Sequence, residues 1–206
     1  MDAEDTVVKT GTTTVGLTTA DGVVLAADRR ASLGGRFVSN KNAVKIEQVH
    51  PRAAVTMSGS VGGAQDFIRQ LRVEADLYET RRGREMSMDA LARLAGNLLR
   101  GKPASPLLGG VERDGTPRVF SVDGAGGVLE DAYGATGSGM TVATGALERL
   151  YREDLSLAEG VEVAAEAVAA ASERDTASGN GITVARLTAD SVDIESYDDA
   201  NEVLQQ

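Results

Sequence analysis

The chemistry of this chain starts at a glycine–threonine junction, where Lys9-Thr10-Gly11 runs into Thr12-Thr13-Thr14-Val15-Gly16. Cutting after Gly11 would leave Thr12 with a free α-amine beside its own hydroxyl. That pairing puts a nucleophile and a base on one residue, because an α-amine titrates near pH ~8 and can take the hydroxyl proton near neutrality. The run also has a plain reading, since β-branched threonines suit a pleated strand. The junction gains meaning only from what surrounds it.

Five other segments carry groups that could do chemistry. Asp28-Arg29-Arg30 places a carboxylate directly after an apolar run, and Lys45 closes Asn40-Lys41-Asn42-Ala43-Val44-Lys45-Ile46. Gly59-Ser60-Val61-Gly62-Gly63-Ala64-Gln65 and Thr136-Gly137-Ser138-Gly139 sit where strand-like patterns give way to helical ones. Arg174-Asp175-Thr176-Ala177-Ser178-Gly179-Asn180-Gly181 separates a helical pattern from a strand. Acids and lysines are mostly solvated, and glycine segments can be plain turns or phosphate cradles at helix N-termini. No segment completes a G-x-x-x-x-G-K-[ST] or G-x-G-x-x-G pattern, so the missing lysine counts against a nucleotide-binding module.

Exclusions narrow the chemistry. The chain has no cysteine, which removes disulfides, thiolate metal sites and cysteine nucleophiles. Its one histidine, His50, lies before Pro51 in a turn-like stretch and is expected at the surface. A Ser-His-Asp triad would have to be built on it, and a histidine-rich zinc site is impossible. Any hydrolytic base is therefore expected to be something other than histidine, with no metal and no cofactor. With 31 acidic against 21 basic residues the net charge is −10, which argues against a general nucleic-acid surface. An acidic surface suits the proteome of a salt-adapted archaeon. No apolar run reaches the ~20 residues of a membrane span, and Met1-Asp2-Ala3-Glu4-Asp5 is unlike a basic signal-peptide start, so a cytoplasmic location is expected.

The elements that must position these groups can be read from periodicity. Thr13, Val15 and Leu17 alternate with polar or small residues, then Asp21-Gly22 turns into Val23–Ala27, a hairpin pattern. Strands are expected at 45–49 and 52–58. Helical spacing follows from Ala64 to Tyr78, and from Met88 to Leu99 behind a Ser87 cap. Strands return at 107–111, 118–122 and 128–132. Helices follow at 140–151 and from a Ser156–Glu159 capping box to about residue 174. Two strands, 182–187 and 192–197, come before an acidic tail, 198–206, expected to be loose. Segregated runs of strands and helices argue for an α+β layered domain, not an alternating parallel sheet.

Taken in this order and spacing, the quoted segments resemble the β subunits of archaeal 20S proteasomes, threonine peptidases of the N-terminal nucleophile hydrolase type. The resemblance extends from the Gly11–Thr12 junction to about Tyr197 and implies a four-layer αββα sandwich. It implies a propeptide, 1–11, removed by autocatalytic cleavage of a zymogen between Gly11 and Thr12, and a single catalytic domain over 12–206. Thr12 would be the nucleophile and its own amine the base. Lys45 would lie beside the hydroxyl, lowering its pKa, with Asp28 holding the lysine. Ser138, Asp175 and Ser178 would bond around the Thr12 amine, and the Gly59 N–H would receive the oxyanion. Ala31, Ala43, Glu47, Met57, Val61 and Gln65 would line the pocket for the residue before the scissile bond. Glu47 is expected at its rim and Met57 at its base. The substrate backbone would lie as an added strand against Ser32, Gly59 and Val61.

The implied activity is an endopeptidase that cuts unfolded polypeptides after large hydrophobic residues. The implied partners are heptameric β rings stacked with α-subunit rings, together with a regulatory ATPase. A non-catalytic subunit of the same barrel would carry an N-terminal helix and no processable Gly-Thr junction. A bacterial-type single-ring threonine protease fits the Asp-Arg-Arg and Arg-Asp-x-x-Ser-Gly contexts less well.

Overall fold

A computed structural model describes residues 11–204. Residues 1–10 of the expected propeptide and the final two residues lie outside them.

The first two strands are buried on both faces, all but Thr18 at the end of the first. β1 (Thr13–Thr18) and β2 (Val23–Asp28) pair antiparallel around the expected turn, and β1 also pairs β10 (Tyr133–Gly137). β11 (Ile182–Leu187) pairs β2 and β12 (Val192–Tyr197), giving a five-stranded sheet in the order β10-β1-β2-β11-β12. A second five-stranded sheet runs in chain order through β5 (Ile46–His50), β6 (Ala53–Thr56), β7 (Leu107–Val111), β8 (Pro117–Val122) and β9 (Val128–Asp131).

The two sheets face each other across an apolar seam that includes Val23, Leu25, Ile46, Leu107, Val119 and Leu187. One polar bridge crosses it. Thr14 Oγ1 lies 2.8 Å from Thr136 Oγ1 and 3.1 Å from Thr56 Oγ1, and the Leu107 N–H donates to Thr56 Oγ1 at 2.9 Å. Each hydroxyl is satisfied, as burial requires.

Helices cover the outer faces. α1 (Val61–Arg82) and α2 (Met88–Leu99) bury Phe67, Ile68, Leu71, Leu91 and Leu99 against the second sheet. α3 (Met140–Leu150) and α4 (Leu157–Ser172) bury Leu147, Val161 and Val168 against the first. This is the four-layer αββα sandwich. Serine caps start three of these helices, with Ser60, Ser87 and Ser156 each accepting a backbone N–H, and Ser156 completing its capping box with Glu159.

Three features depart from the expectations. A short hairpin, β3 (Ala31–Leu33) and β4 (Phe37–Asn40), stands in a stretch where no element was expected; all four residues of β4 are exposed, so no alternation of burial marks it. Residues 200–203 of the acidic tail form α5 (Ala200–Val203), capped by Asp199, which buries Val203 against the α4 side. His50 is buried, not a surface turn residue. A register shift between Gln48 and His50 ends β5 with the ring packed inward, where the Arg52 N–H donates to Nδ1 at 3.4 Å.

Burial holds the His50 imidazolium below its ordinary range. Glu85 and Asp76 oppose that shift, while Arg52 and Arg113 reinforce it. A base whose folded pKa is depressed contributes stability that is complete above its unfolded pKa and is lost as pH falls through the folded value. The urea midpoint should therefore drop more for the wild type than for His50→Gln between about pH 7.5 and about pH 5. Parallel declines in the two proteins would show that His50 does not supply the effect.

Candidate active site

Strand register assembles the site. Because Thr13 pairs Gly137, the residue before β1 and the residue after β10 are neighbours, which sets Thr12 beside Ser138. Because Thr14 pairs Ala27 and Ile182 pairs Asp28, the end of β2 meets both the start of β1 and the loop leading into β11. Lys45 directly precedes β5, and Met57, Ser58 and Gly59 follow β6 in turn. Loops at one end of both sheets thus converge on Thr12.

Asp28 is fully buried and satisfied four times. Oδ1 accepts the Lys45 ammonium at 2.7 Å and the Thr13 N–H at 2.8 Å; Oδ2 accepts the Gly179 N–H at 2.9 Å and the Arg30 N–H at 3.0 Å. A charged carboxylate survives such burial only with this much compensation. Its partner Lys45 is also buried, with a side chain 5% exposed. Burial pushes the Lys45 ammonium below its ordinary value; the charges of Asp28 and Asp175 pull it back, and Arg30 adds slightly to the fall.

The other side of Thr12 is a hydroxyl–carboxylate network. The Thr12 N–H donates to Ser138 Oγ at 3.1 Å, and Ser138 Oγ donates to Asp175 Oδ2 at 2.6 Å. In this uncut chain the nitrogen is a peptide amide, standing where an α-amine would be after cleavage. Ser178 Oγ also donates to Asp175 Oδ2 at 2.6 Å, and the Ala177 N–H donates to Oδ1 at 3.1 Å. Of the three residues expected around the Thr12 nitrogen, Ser138 touches it, Asp175 reaches it through Ser138, and Ser178 bonds Thr13 Oγ1 instead at 2.8 Å. Arg30 clamps this loop, with Nε on Asn180 Oδ1 at 2.8 Å and Nη1 on the Thr176 carbonyl at 2.9 Å. Arg30 stood inside the Asp28-Arg29-Arg30 segment, but nothing in the sequence pointed its side chain there.

Two cavities flank Thr12 and share Ser58 and Gly59 as a divide. One, of about 440 Å³, is lined by Thr12, Lys45 and Gly59 and by Ala31, Ala43, Glu47, Met57, Val61 and Gln65. Ser39, Asn40, Asn42 and Val44, which sequence reasoning left out, also line it. The other, of about 740 Å³, has Gly11, Gly34, Gly35, Ser138, Asp175 and Pro103 in its walls. Ser32 lies outside the first cavity; its Oγ accepts the Gly11 N–H at 3.1 Å. Glu47 is half-buried and ion-paired to Arg72 of α1 at 3.0 Å.

Glycine is required at two of these positions. Gly59 has φ of +99° and a Cβ there would come within 2.5 Å of the Pro103 carbonyl oxygen, so any L side chain is strained and crowded. A Cβ on Gly11 would fall 1.8 Å from the Ala177 Cβ. The junction residue therefore has to be glycine for the chain to lie against the 175–178 loop. Among the described residues no cluster of three or more histidines and carboxylates could hold a metal ion, and no helix is long and apolar enough to cross a membrane.

The profile of the family described as proteasome subunit matches residues 8–187. A proteasome subunit beta of Halomicrobium mukohataei is 62% identical over 97% of this chain and 86% of its own length. Proteasome subunit beta 2 of Haloarcula marismortui is 60% identical over 95% of this chain and 86% of its own. Proteasome subunit beta 1 of Haloterrigena turkmenica is 59% identical over 97% and 83%. The chain therefore belongs to the proteasome subunit family, as a β-type subunit.

Proposed function

We propose that this subunit is a catalytic threonine endopeptidase that activates itself by cutting between Gly11 and Thr12. The observation that carries the reading is the convergence on Thr12 of a buried Lys45–Asp28 pair from one side and a Ser138–Asp175 relay from the other, at the divide between two cavities.

In this reading the mature Thr12 amine takes the proton from its own hydroxyl, and the oxygen attacks the scissile carbonyl carbon. Lys45 stabilises the developing negative oxygen, and Asp28 keeps the ammonium aimed. Ser138 accepts an N–H of the amine and so orients its lone pair. The Gly59 N–H would receive the oxyanion, a role typically worth roughly 3 kcal/mol of barrier. The C–N bond breaks as the amine returns the proton to the leaving group, and water then hydrolyses the ester. For self-cleavage the same oxygen attacks the Gly11 carbonyl carbon. The Gly11–Thr12 C–N bond breaks as the nitrogen takes up the hydroxyl proton, leaving an ester and a free amine. Water then hydrolyses the ester to release residues 1–11. The roles of Thr12, Asp28, Lys45, Gly59, Ser138, Asp175 and Ser178, and of residues 1–11 as a propeptide, belong to this proposal.

As a family member the subunit would work in the proteasome barrel, in heptameric rings stacked with α-subunit rings and served by a regulatory ATPase in the cytoplasm. Polypeptides would enter, and the 440 Å³ cavity would take the side chain before the cut. Its walls are small at Ala31 and Ala43 and adaptable at Met57, which suits bulky aliphatic or aromatic groups. The one carboxylate in it, Glu47, is already paired to Arg72, so it offers little to a basic side chain.

Matched fluorogenic peptides ending in Tyr or Leu should therefore turn over faster than those ending in Arg or Glu. The gap should be modest, roughly tenfold, since apolar pockets discriminate by ~1–3 kcal/mol. Faster cleavage after Arg would mean that Glu47 faces the substrate. The intact mass of the assembled protein tests the activation step, which predicts a chain beginning at Thr12.

A further inference from the structure

We infer that the Thr13 hydroxyl is a positioning group for the Thr12 centre, acting through Ser178 and Asp175. The inference rests on the threonine-peptidase reading above and adds a residue that reading does not use.

Asp175 Oδ2 accepts from both Ser138 Oγ and Ser178 Oγ, each at 2.6 Å. A serine has one hydroxyl proton, so both serines spend theirs on the carboxylate. Ser138 also lies 3.4 Å from the Thr12 carbonyl oxygen, but the carboxylate is nearer and charged. The remaining contact of Ser178, 2.8 Å to Thr13 Oγ1, can then be made only with Thr13 donating. Two chains of donors therefore start at consecutive residues and end on one oxygen. One runs from the Thr12 N–H through Ser138, the other from the Thr13 O–H through Ser178.

Thr13 also ties the two halves of the site together. Its N–H donates to Asp28 Oδ1 at 2.8 Å while its hydroxyl supports Asp175. Thr13 and Ser178 are both fully buried, and neither lines either cavity, so no water and no substrate can replace the hydroxyl. The space is shaped for it, since a Cβ on Gly139 would come within 2.0 Å of Thr13 Oγ1. Without the hydroxyl, Ser178 keeps an unmatched buried acceptor and loses the bond that fixes its rotamer. Asp175 is then held by fewer fixed partners, and Ser138 and the Thr12 nitrogen lose their alignment.

The test compares assembled proteins on one Leu- or Tyr-ended fluorogenic peptide, after intact mass has established that each begins at Thr12. Thr13→Val keeps the shape and the backbone bond to Asp28 and removes only the donor. We expect kcat to fall about tenfold or more with KM within about twofold of wild type, because the substrate contacts are untouched. Thr13→Ser should recover most of the loss. Adding Ser178→Ala to Thr13→Val should cost no more than Ser178→Ala alone, since both remove one chain. If the valine protein does not assemble, Thr13→Ala gives the same comparison. A kcat within about twofold of wild type for the donor-less variant, or single losses that multiply in the double variant, overturns the inference. Wild-type turnover by Thr12→Ala would instead overturn the underlying peptidase reading, whatever the Thr13 variants do.

Discussion

Thr12→Ala should abolish peptide hydrolysis and leave the leader attached, while the protein still folds and assembles. One hydroxyl is asked to do two jobs, attack on the Gly11 carbonyl and attack on substrates, so one substitution should remove both. The loss should exceed about 10³-fold in kcat, the scale on which removing a nucleophile from a multi-residue site is felt. Folding should be spared because Thr12 precedes β1 and its backbone contacts survive: the N–H to Ser138 Oγ at 3.1 Å and the carbonyl accepting from Gly139 N at 3.4 Å. Two measurements read the result independently, intact mass for the retained leader and a fluorogenic peptide for turnover. A variant that still removes its leader would assign self-cleavage to another group. One that hydrolyses peptide near the wild-type rate would remove Thr12 from the centre altogether.

Where the sequence could be read, a local pattern carried the information. The residue alternation that marks β1 and the Asp21-Gly22 turn are local, and so are the serine caps at Ser87 and Ser156, and the strand, turn and caps all appear as expected. The strand ends at Asp28, Lys45 and Gly59 were marked because charge or glycine interrupts an apolar run. What stayed hidden depends on contacts between distant residues. Glu47 looks like an unpaired acid until α1 brings Arg72 to it, 25 positions away. Thr13 reads as one more β-branched residue in a strand, and only the return of Ser178 from 165 positions away gives its hydroxyl a role. His50 beside Pro51 has every local sign of a turn, yet the bulge in β5 buries it. β4 carries no burial pattern because it is exposed on both faces.

Lys45 should be nearly as sensitive as Thr12, for a reason that separates its charge from its shape. In the proposed mechanism Lys45→Ala removes the cation that serves the Thr12 hydroxyl, and it leaves Asp28 buried with only its three backbone donors. Losing one partner of a buried ion pair typically destabilises a protein by ~3–5 kcal/mol, although backbone bonds of the kind Asp28 keeps should soften this. A fall in kcat of about 10²-fold or more is expected in protein that still assembles, comparable to losing one electrostatic stabiliser of a transition state. Lys45→Arg should not rescue it. The lysine side chain is 5% exposed and its Nζ sits 2.7 Å from Asp28 Oδ1, so a longer, planar guanidinium has no room to keep that bond and face Thr12.

The pH profile supplies the second readout. Burial lowers the Lys45 pKa, so its positive charge is lost as pH rises through a value below the ordinary 10.5. Wild-type kcat/KM should decline on an alkaline limb earlier than an exposed lysine would give. If arginine retains activity and that limb disappears, Lys45 acts only as a positive charge. If arginine retains activity with the limb unchanged, the limb belongs to another group. Loss of activity in both variants, in assembled protein, is the outcome that the proposed role of a compact ammonium, paired to Asp28 and serving Thr12, requires.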